Sequence, residues 1–305
     1  MRAIKYAVPQ SLEDAVSLLL EIGPKARLLA GGTDLIPQVG SDARDVEVMV
    51  DGKHIPELNE LSFNSQGGLT LGAAVPCCRI YEDADVRRCY AGMVDAASII
   101  GGTAIQGRAS IGGNLCNSGP AADSTPILIA YSATARIAGP DGIREVPVEN
   151  FCTAPGRNVL KPGELLVSLH LPAPPPRSGA RYLRFIPRNE MDIAVVGAGA
   201  FLTLNESQDT IVAARIALAA VAPVPLFVPE AGASLVGKAP SEEAFALAAA
   251  LAQSHARPIS DMRGTAEHRK QLAKVLTLRA LRGAFERITA APNDYSRKDE
   301  PCQRN

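Results

Sequence analysis

The 305-residue chain has no excess of either charge, with 31 Lys and Arg against 32 Asp and Glu. Without a basic field it lacks the electrostatic footprint of a nucleic-acid binder. Its alanine-rich runs are short and broken by charge, and none reaches the roughly 18 apolar residues of a membrane span. The opening Met1-Arg2-Ala3-Ile4-Lys5-Tyr6 has no apolar core of a secretory signal, so a cytoplasmic protein is expected. Six cysteines are present, but none shows the Cys-x-x-Cys spacing of zinc or iron–sulfur ligation. Reduced, mostly buried thiols are the expectation, with Cys116 set apart only by its position. The four histidines (His54, His170, His255, His268) form no ligand set, and no metal is expected in this chain. There is also no convincing Ser/His/Asp or Cys/His combination for acid–base or nucleophilic catalysis.

Glycine, in contrast, is clustered at two places that each follow an apolar run. The first is Leu28-Leu29-Ala30-Gly31-Gly32-Thr33-Asp34, and the second is Ser110-Ile111-Gly112-Gly113-Asn114. Asn117-Ser118-Gly119-Pro120-Ala121-Ala122-Asp123 follows closely. Glycine permits positive φ and lets a ligand approach the main chain. Successive peptide N–H groups in such turns make an anion-binding concavity. Either cluster alone reads as an ordinary tight turn. Together, each with a hydroxyl residue (Thr33, Ser110) and a polar acceptor (Asp34, Asn114), they suit the two-sided grip of an extended diphosphate.

The spacing predicts a helix capped by Ser11 and stopped at Gly23-Pro24, then a strand over Arg27 to Ala30. Glu47 to Asp51 and Leu69 to Ala73 read as strands, and Cys89 to Ile100 as a helix. Another helix is expected from Ala121 to Ala130, with Asp123 near its first turn. Thr134 to Ala138 and Ile143 to Val148 flank a Gly139-Pro140-Asp141-Gly142 turn and form a hairpin. Leu171-Pro172-Ala173-Pro174-Pro175-Pro176 reads as a stiff spacer. Beyond it, strands are expected at Arg181 to Pro187, Ala194 to Leu204 and Val212 to Val221. Helices follow at Glu242 to Ser254 and Ala266 to Thr289, and the polar stretch 291–305 reads as a flexible or partner-bound tail. Val195-Val196-Gly197-Ala198-Gly199-Ala200-Phe201-Leu202 half-matches a nicotinamide fingerprint. Leu202 stands where its third glycine belongs, and the alternation that follows is a strand's. A buried strand is expected there.

Several short motifs give the chain a resemblance to a known family. They are Leu29 to Leu35, Ile111-Gly112-Gly113-Asn114-Leu115-Cys116-Asn117, and Pro120-Ala121-Ala122-Asp123. Pro162-Gly163-Glu164-Leu165-Leu166, Asp192-Ile193-Ala194 and Asp261-Met262-Arg263-Gly264 complete the set. In this order and spacing, from about Ile4 to about Ala290, the chain resembles the FAD-binding medium subunit of the molybdenum hydroxylases. That is the family of xanthine dehydrogenase and carbon monoxide dehydrogenase. One departure is Ile105-Gln106-Gly107, where the family often has Ile-Arg-Asn. The missing positive charge could come from Arg108.

The resemblance implies an α+β chain. A two-part FAD-binding domain of the PCMH type would occupy 1–176, a smaller α+β C-terminal domain 177–290, and the tail 291–305. It implies FAD held by Leu29, Ala30, Gly31, Gly32, Thr33, Asp34, Ser110, Ile111, Gly112, Gly113 and Asn114. It further points to Leu166, packed near the cofactor, and to Arg184, where relatives often have lysine. Asp123 is open to two readings, a partner of a ribityl hydroxyl or a helix-capping carboxylate. The implied activity is electron relay from iron–sulfur clusters through FAD to a terminal acceptor. The implied partners are a molybdopterin-binding large subunit and a 2Fe-2S small subunit, in a heterotrimer or a dimer of heterotrimers. A stand-alone flavin oxidoreductase and a non-enzymatic assembly protein of the same fold remain as alternatives.

Overall fold

The computed structural model describes residues 3–290, and the expected tail at 291–305 lies outside them. Three parallel strands open the chain: β1 (Lys5–Ala7), β2 (Ala26–Leu29) and β3 (Val48–Asp51), in the order β1-β3-β2. Between them run α1 (Leu12–Ile22) and α2 (Leu35–Gly40). Ser11 caps α1 by accepting from Asp14 N, and Gly23 ends it at φ +67°.

Strands β4 (Leu61–Asn64) and β5 (Gly68–Gly72) begin a second sheet. The chain then turns through short helices: α3 (Cys77–Glu82), α4 (Ala84–Cys89), α5 (Ala91–Ala97), α6 (Thr103–Gln106), α7 (Ile111–Asn117) and α8 (Thr125–Ala130). It returns as the hairpin β6 (Thr134–Gly139) and β7 (Gly142–Pro147), the ribbon β8 (Cys152–Ala154) with β9 (Arg157–Asn158), and the central β10 (Leu165–Leu171). The five-stranded order is β4-β5-β10-β6-β7, antiparallel throughout.

Gly163 at φ +78° makes the turn before β10, and Glu164 folds back onto Arg144 of β7 through two hydrogen bonds of 2.8 and 2.7 Å. The Pro-Gly-Glu-Leu motif is therefore a staple of this sheet. Arg144 and the Lys161 N–H hold the Glu164 carboxyl below its ordinary pKa.

The last sheet is an antiparallel meander of β11 (Ser178–Phe185), β12 (Val196–Leu204), β13 (Ile211–Ala219) and β14 (Leu226–Phe227). Helices α9 (Pro229–Ala233), α10 (Glu242–His255) and α11 (Ala266–Thr289) cover it. Two hydrophobic cores result. One fills the space from α1 to β10 and takes in Ala180, Tyr182 and Ala217 of the meander, and the other lies between the meander and α10–α11.

They meet tightly. Asp95 of α5 takes both guanidinium N–H groups of Arg287 at 2.8 and 2.7 Å and the Tyr182 N–H at 3.0 Å. Arg215 of β13 bonds the Ile129 carbonyl and Glu149, each at 2.9 Å. The proline-rich 172–176 runs between β10 and β11, yet the two sides are clamped rather than loosely tethered.

Three expectations need correction. The helix over Cys89 to Ile100 breaks at Tyr90, because that fully buried ring turns inward and its hydroxyl bonds the carbonyls of Leu171 and Pro172. The helix over Ala121 to Ala130 starts only at Thr125, as Pro126 belongs in a first turn. The second glycine cluster is no simple turn, since Ile111 to Asn117 is α7 with Ser110 as its cap.

Gly197 and Gly199 both lie within strand β12, as the alternation at Phe201-Leu202 predicts. A side-chain carbon at Gly199 would fall 2.9 Å from the Pro126 carbonyl carbon of α8. The small residues there serve close packing of sheet on helix. Among the described residues no helix is long and apolar enough to cross a membrane.

Candidate functional site

Strand β2 ends at buried Leu29, and Ala30-Gly31-Gly32-Thr33-Asp34 carries the chain from the sheet into α2. Gly32 has φ +79°, as a left-handed turn requires. Gly31 answers a different demand. A side-chain carbon on it would sit 1.7 Å from the Arg108 carbonyl oxygen. The first glycine segment thus lies directly on the backbone that leads into the second.

Arg108 closes the joint, its Nε donating to the Gly31 carbonyl at 3.1 Å. Arg108, two positions after Gln106, thus sets its guanidinium against the first loop. Gln106 itself is buried and donates to the carbonyls of Ser98 and Ile100.

In the second segment Ser110 caps α7, its Oγ accepting from Gly113 N at 3.1 Å. Gly112 faces inward, where an added carbon would meet the Ala73 backbone at 2.5 Å. Gly113 faces out, and the nearest atom to such a carbon is the Ser110 hydroxyl at 3.0 Å. The first N–H groups of a helix seek partners outside it and favour negative charge. The Asn114 carboxamide oxygen accepts from Ser124 Oγ at 2.6 Å.

One face of the protein therefore joins a glycine loop, a guanidinium and the start of a glycine-rich helix. Gly31, Gly32 and Gly112 are spared side chains by neighbouring protein atoms and Gly113 alone turns outward, so the fit to a diphosphate rests on the N–H groups and the guanidinium gathered here.

Asp123 lies beside Ser124, ahead of α8, and caps no helix. Its Oδ1 accepts from the Tyr182 hydroxyl at 2.9 Å and its Oδ2 from Arg184 Nη1 at 2.6 Å. The pair is almost fully enclosed, with the Arg184 and Asp123 side chains 7% and 10% exposed. Burial raises the Asp123 carboxyl above its ordinary pKa, while Arg184 and Tyr182 act the other way. The same burial, with the Asp123 charge, pushes the Tyr182 phenol well up. The cation expected at Arg184 is present, but it is compensated by Asp123.

The remaining expected residues hold other places. Thr33 is half-buried, and Asp34 is exposed and caps no N–H of α2 with its carboxylate. Ile111 is 1% exposed, a core residue under α7. Leu166 is equally buried, opposite Ile137 in the five-stranded sheet. Its neighbour Val167 accepts from Ala73 N, and Ala73 underlies Gly112. Leu166 is a core residue of this sheet. The Cys116 thiol is pushed up to about 12 by burial, beside Cys152. Its carbonyl accepts from the Asn158 carboxamide.

Tyr182 was not anticipated. The signal was available, because residues two apart on a strand share a face, and Tyr182 stands two before Arg184.

Comparison with known proteins bears on this arrangement. The profile of a family described as the FAD binding domain in molybdopterin dehydrogenase matches residues 2–174. That of the CO dehydrogenase flavoprotein C-terminal domain matches residues 181–284. The chain is 33% identical over 222 residues to the xanthine dehydrogenase FAD-binding subunit of Escherichia coli O157:H7, covering 72% of this chain and 75% of that one. It is 32% identical over 283 residues to the carbon monoxide dehydrogenase medium chain of Afipia carboxidovorans, covering 92% and 96%. A solved structure of the Cu,Mo-CO dehydrogenase superposes with a TM-score of 0.89 at 31% identity, over 94% of this chain and 99% of that chain.

Proposed function

The chain belongs to the FAD-binding subunits of the molybdopterin dehydrogenases, and on that premise we propose how it works. It holds FAD across the two glycine segments and relays electrons within a multi-subunit dehydrogenase. The carrying observation is the contact of Gly31 with Arg108, which brings together two segments far apart in sequence. When bound, FAD supplies a carrier that takes up one electron or two. Backbone groups of Gly31 to Asp34 and of the α7 N-terminus hold the diphosphate. Arg108 adds a charge at the joint. Asp123 and Arg184 form a fixed polar pair beside them, able to orient ring or ribityl groups. The chain needs no acid–base pair of its own, because its task is to position and tune a cofactor.

The partners in this reading are a molybdopterin-binding large subunit and a 2Fe-2S small subunit. They assemble as a heterotrimer or a dimer of heterotrimers in the cytoplasm. Substrate is chosen on another chain. The test is anaerobic stopped-flow absorbance on adding an organic substrate of the complex, comparing the isolated FAD-loaded chain with the reconstituted complex. The flavin should bleach only in the complex. Bleaching of the isolated chain at the complex's rate would overturn the relay and favour a stand-alone flavin oxidoreductase.

A further inference from the structure

Tyr182 is 1% exposed, and its hydroxyl bonds Asp123 rather than backbone. The room for that hydroxyl comes from the neighbouring strand. A side-chain carbon at Gly197 would lie 2.3 Å from the phenol oxygen, so any larger residue there would push the hydroxyl away. In the register of β11 against β12, Gly197 pairs with Arg184 and Gly199 with Tyr182. The phenol therefore leans along the sheet toward the guanidinium.

The two Asp123 oxygens are divided, Oδ1 to Tyr182 and Oδ2 to Arg184. A carboxylate facing a guanidinium alone would tend to take it with both oxygens, since the planar fork matches it in that way. Tyr182 prevents this by occupying one of them.

We propose that Tyr182 is a positioning residue of the cofactor site. It confines Asp123 to a single contact with Arg184, and so sets how the guanidinium is oriented and how fully its charge is compensated toward the bound flavin. This rests on the FAD reading given above. Without the phenol, both Asp123 oxygens are free to meet the guanidinium. Compensation of Arg184 becomes fuller, the local potential falls, and the electron-rich reduced flavin is disfavoured.

The experiment is Tyr182→Phe in the full chain, loaded with FAD and titrated reductively against indicator dyes, with FAD affinity measured in parallel. A tenfold shift of the equilibrium toward oxidised flavin is expected, a fall of about 30 mV for a two-electron couple. A purely structural role would lower the melting temperature and leave the midpoint unmoved. Gly197→Ala is the second variant. It keeps the phenol but displaces its hydroxyl, and it should move the potential in the same direction, so it decides the matter if Tyr182→Phe does not fold. FAD-loaded variants with the parent's potential would overturn the role of Tyr182. A parent chain that takes up no FAD would instead overturn the cofactor reading.

Discussion

Arg108 and Gly31, 77 positions apart, touch in two ways: the Arg108 side chain donates to the Gly31 carbonyl, and the Arg108 carbonyl fills the space a side chain at Gly31 would need. This double contact makes one site of two segments. Arg108→Gln removes the charge and keeps much of the length. Arg108 is exposed, so the loss is modest, on the order of 1 kcal/mol and a roughly fivefold weaker FAD dissociation constant. Titration followed by flavin fluorescence measures it. An unchanged constant would show that the charge does not reach the cofactor.

The glycines of the two segments should respond in different ways. Gly31→Ala collides with backbone, which cannot yield cheaply, and should cost about 3 kcal/mol of stability together with FAD binding. Gly32→Val suffers from its positive φ, and its side chain would press on Ile36 and Leu29 rather than on an open cleft. It should also lose the cofactor, through a distorted loop. Gly113→Ala meets only a hydroxyl, so it should fold almost normally and lose affinity alone. Urea unfolding and flavin content separate the three. Full flavin content in folded Gly31→Ala would contradict the close approach.

FAD should be bound non-covalently at one per chain, because the site offers backbone donors, a guanidinium and a carboxylate. The nearby thiol of Cys116 is held up at about 12 and is a poor nucleophile. Acid precipitation should leave all the yellow colour in the supernatant. Colour that stays in the pellet would contradict this.

Glu164 gives a pH test away from the cofactor. Its folded pKa is depressed, chiefly by Arg144, so its contribution to stability is present above the unfolded carboxylate pKa of about 4.3 and is lost as pH falls through the folded value. Glu164→Gln should therefore be less stable than the parent by about 1–2 kcal/mol at pH 7. The gap should narrow below pH 4 or so, as read from urea midpoints. A gap that does not change with pH would assign the loss to shape and not to charge.

Much of this architecture could be read from the residues. Ser11, Gly23 and the period of Leu12, Ala15 and Leu19 marked α1, and Gly139 to Gly142 marked the β6–β7 turn, because these signals are local. Tyr90 broke a helix for a non-local reason, a hydroxyl reaching carbonyls more than eighty positions away. The glycine segments were visible as chemistry, but their contact was not. Gly31 is spared a side chain by Arg108, and nothing near Gly31 in sequence says so. The second segment was taken for a turn because its glycines outweighed the cap signal of Ser110. Tyr182 was missed since its partner Asp123 comes from another part of the chain.

Gly199 of the meander admits the backbone of α8, while Asp95 of α5 grips Arg287 from the last helix. The two halves are therefore not interchangeable building blocks. A C-terminal unit transplanted from a relative would seat on this N-terminal unit only if it brought a residue without a side chain at 199 and an arginine at 287. A crossover at the proline-rich junction, the most inviting place to cut and splice, separates the members of both pairs and so works only between parents that share them.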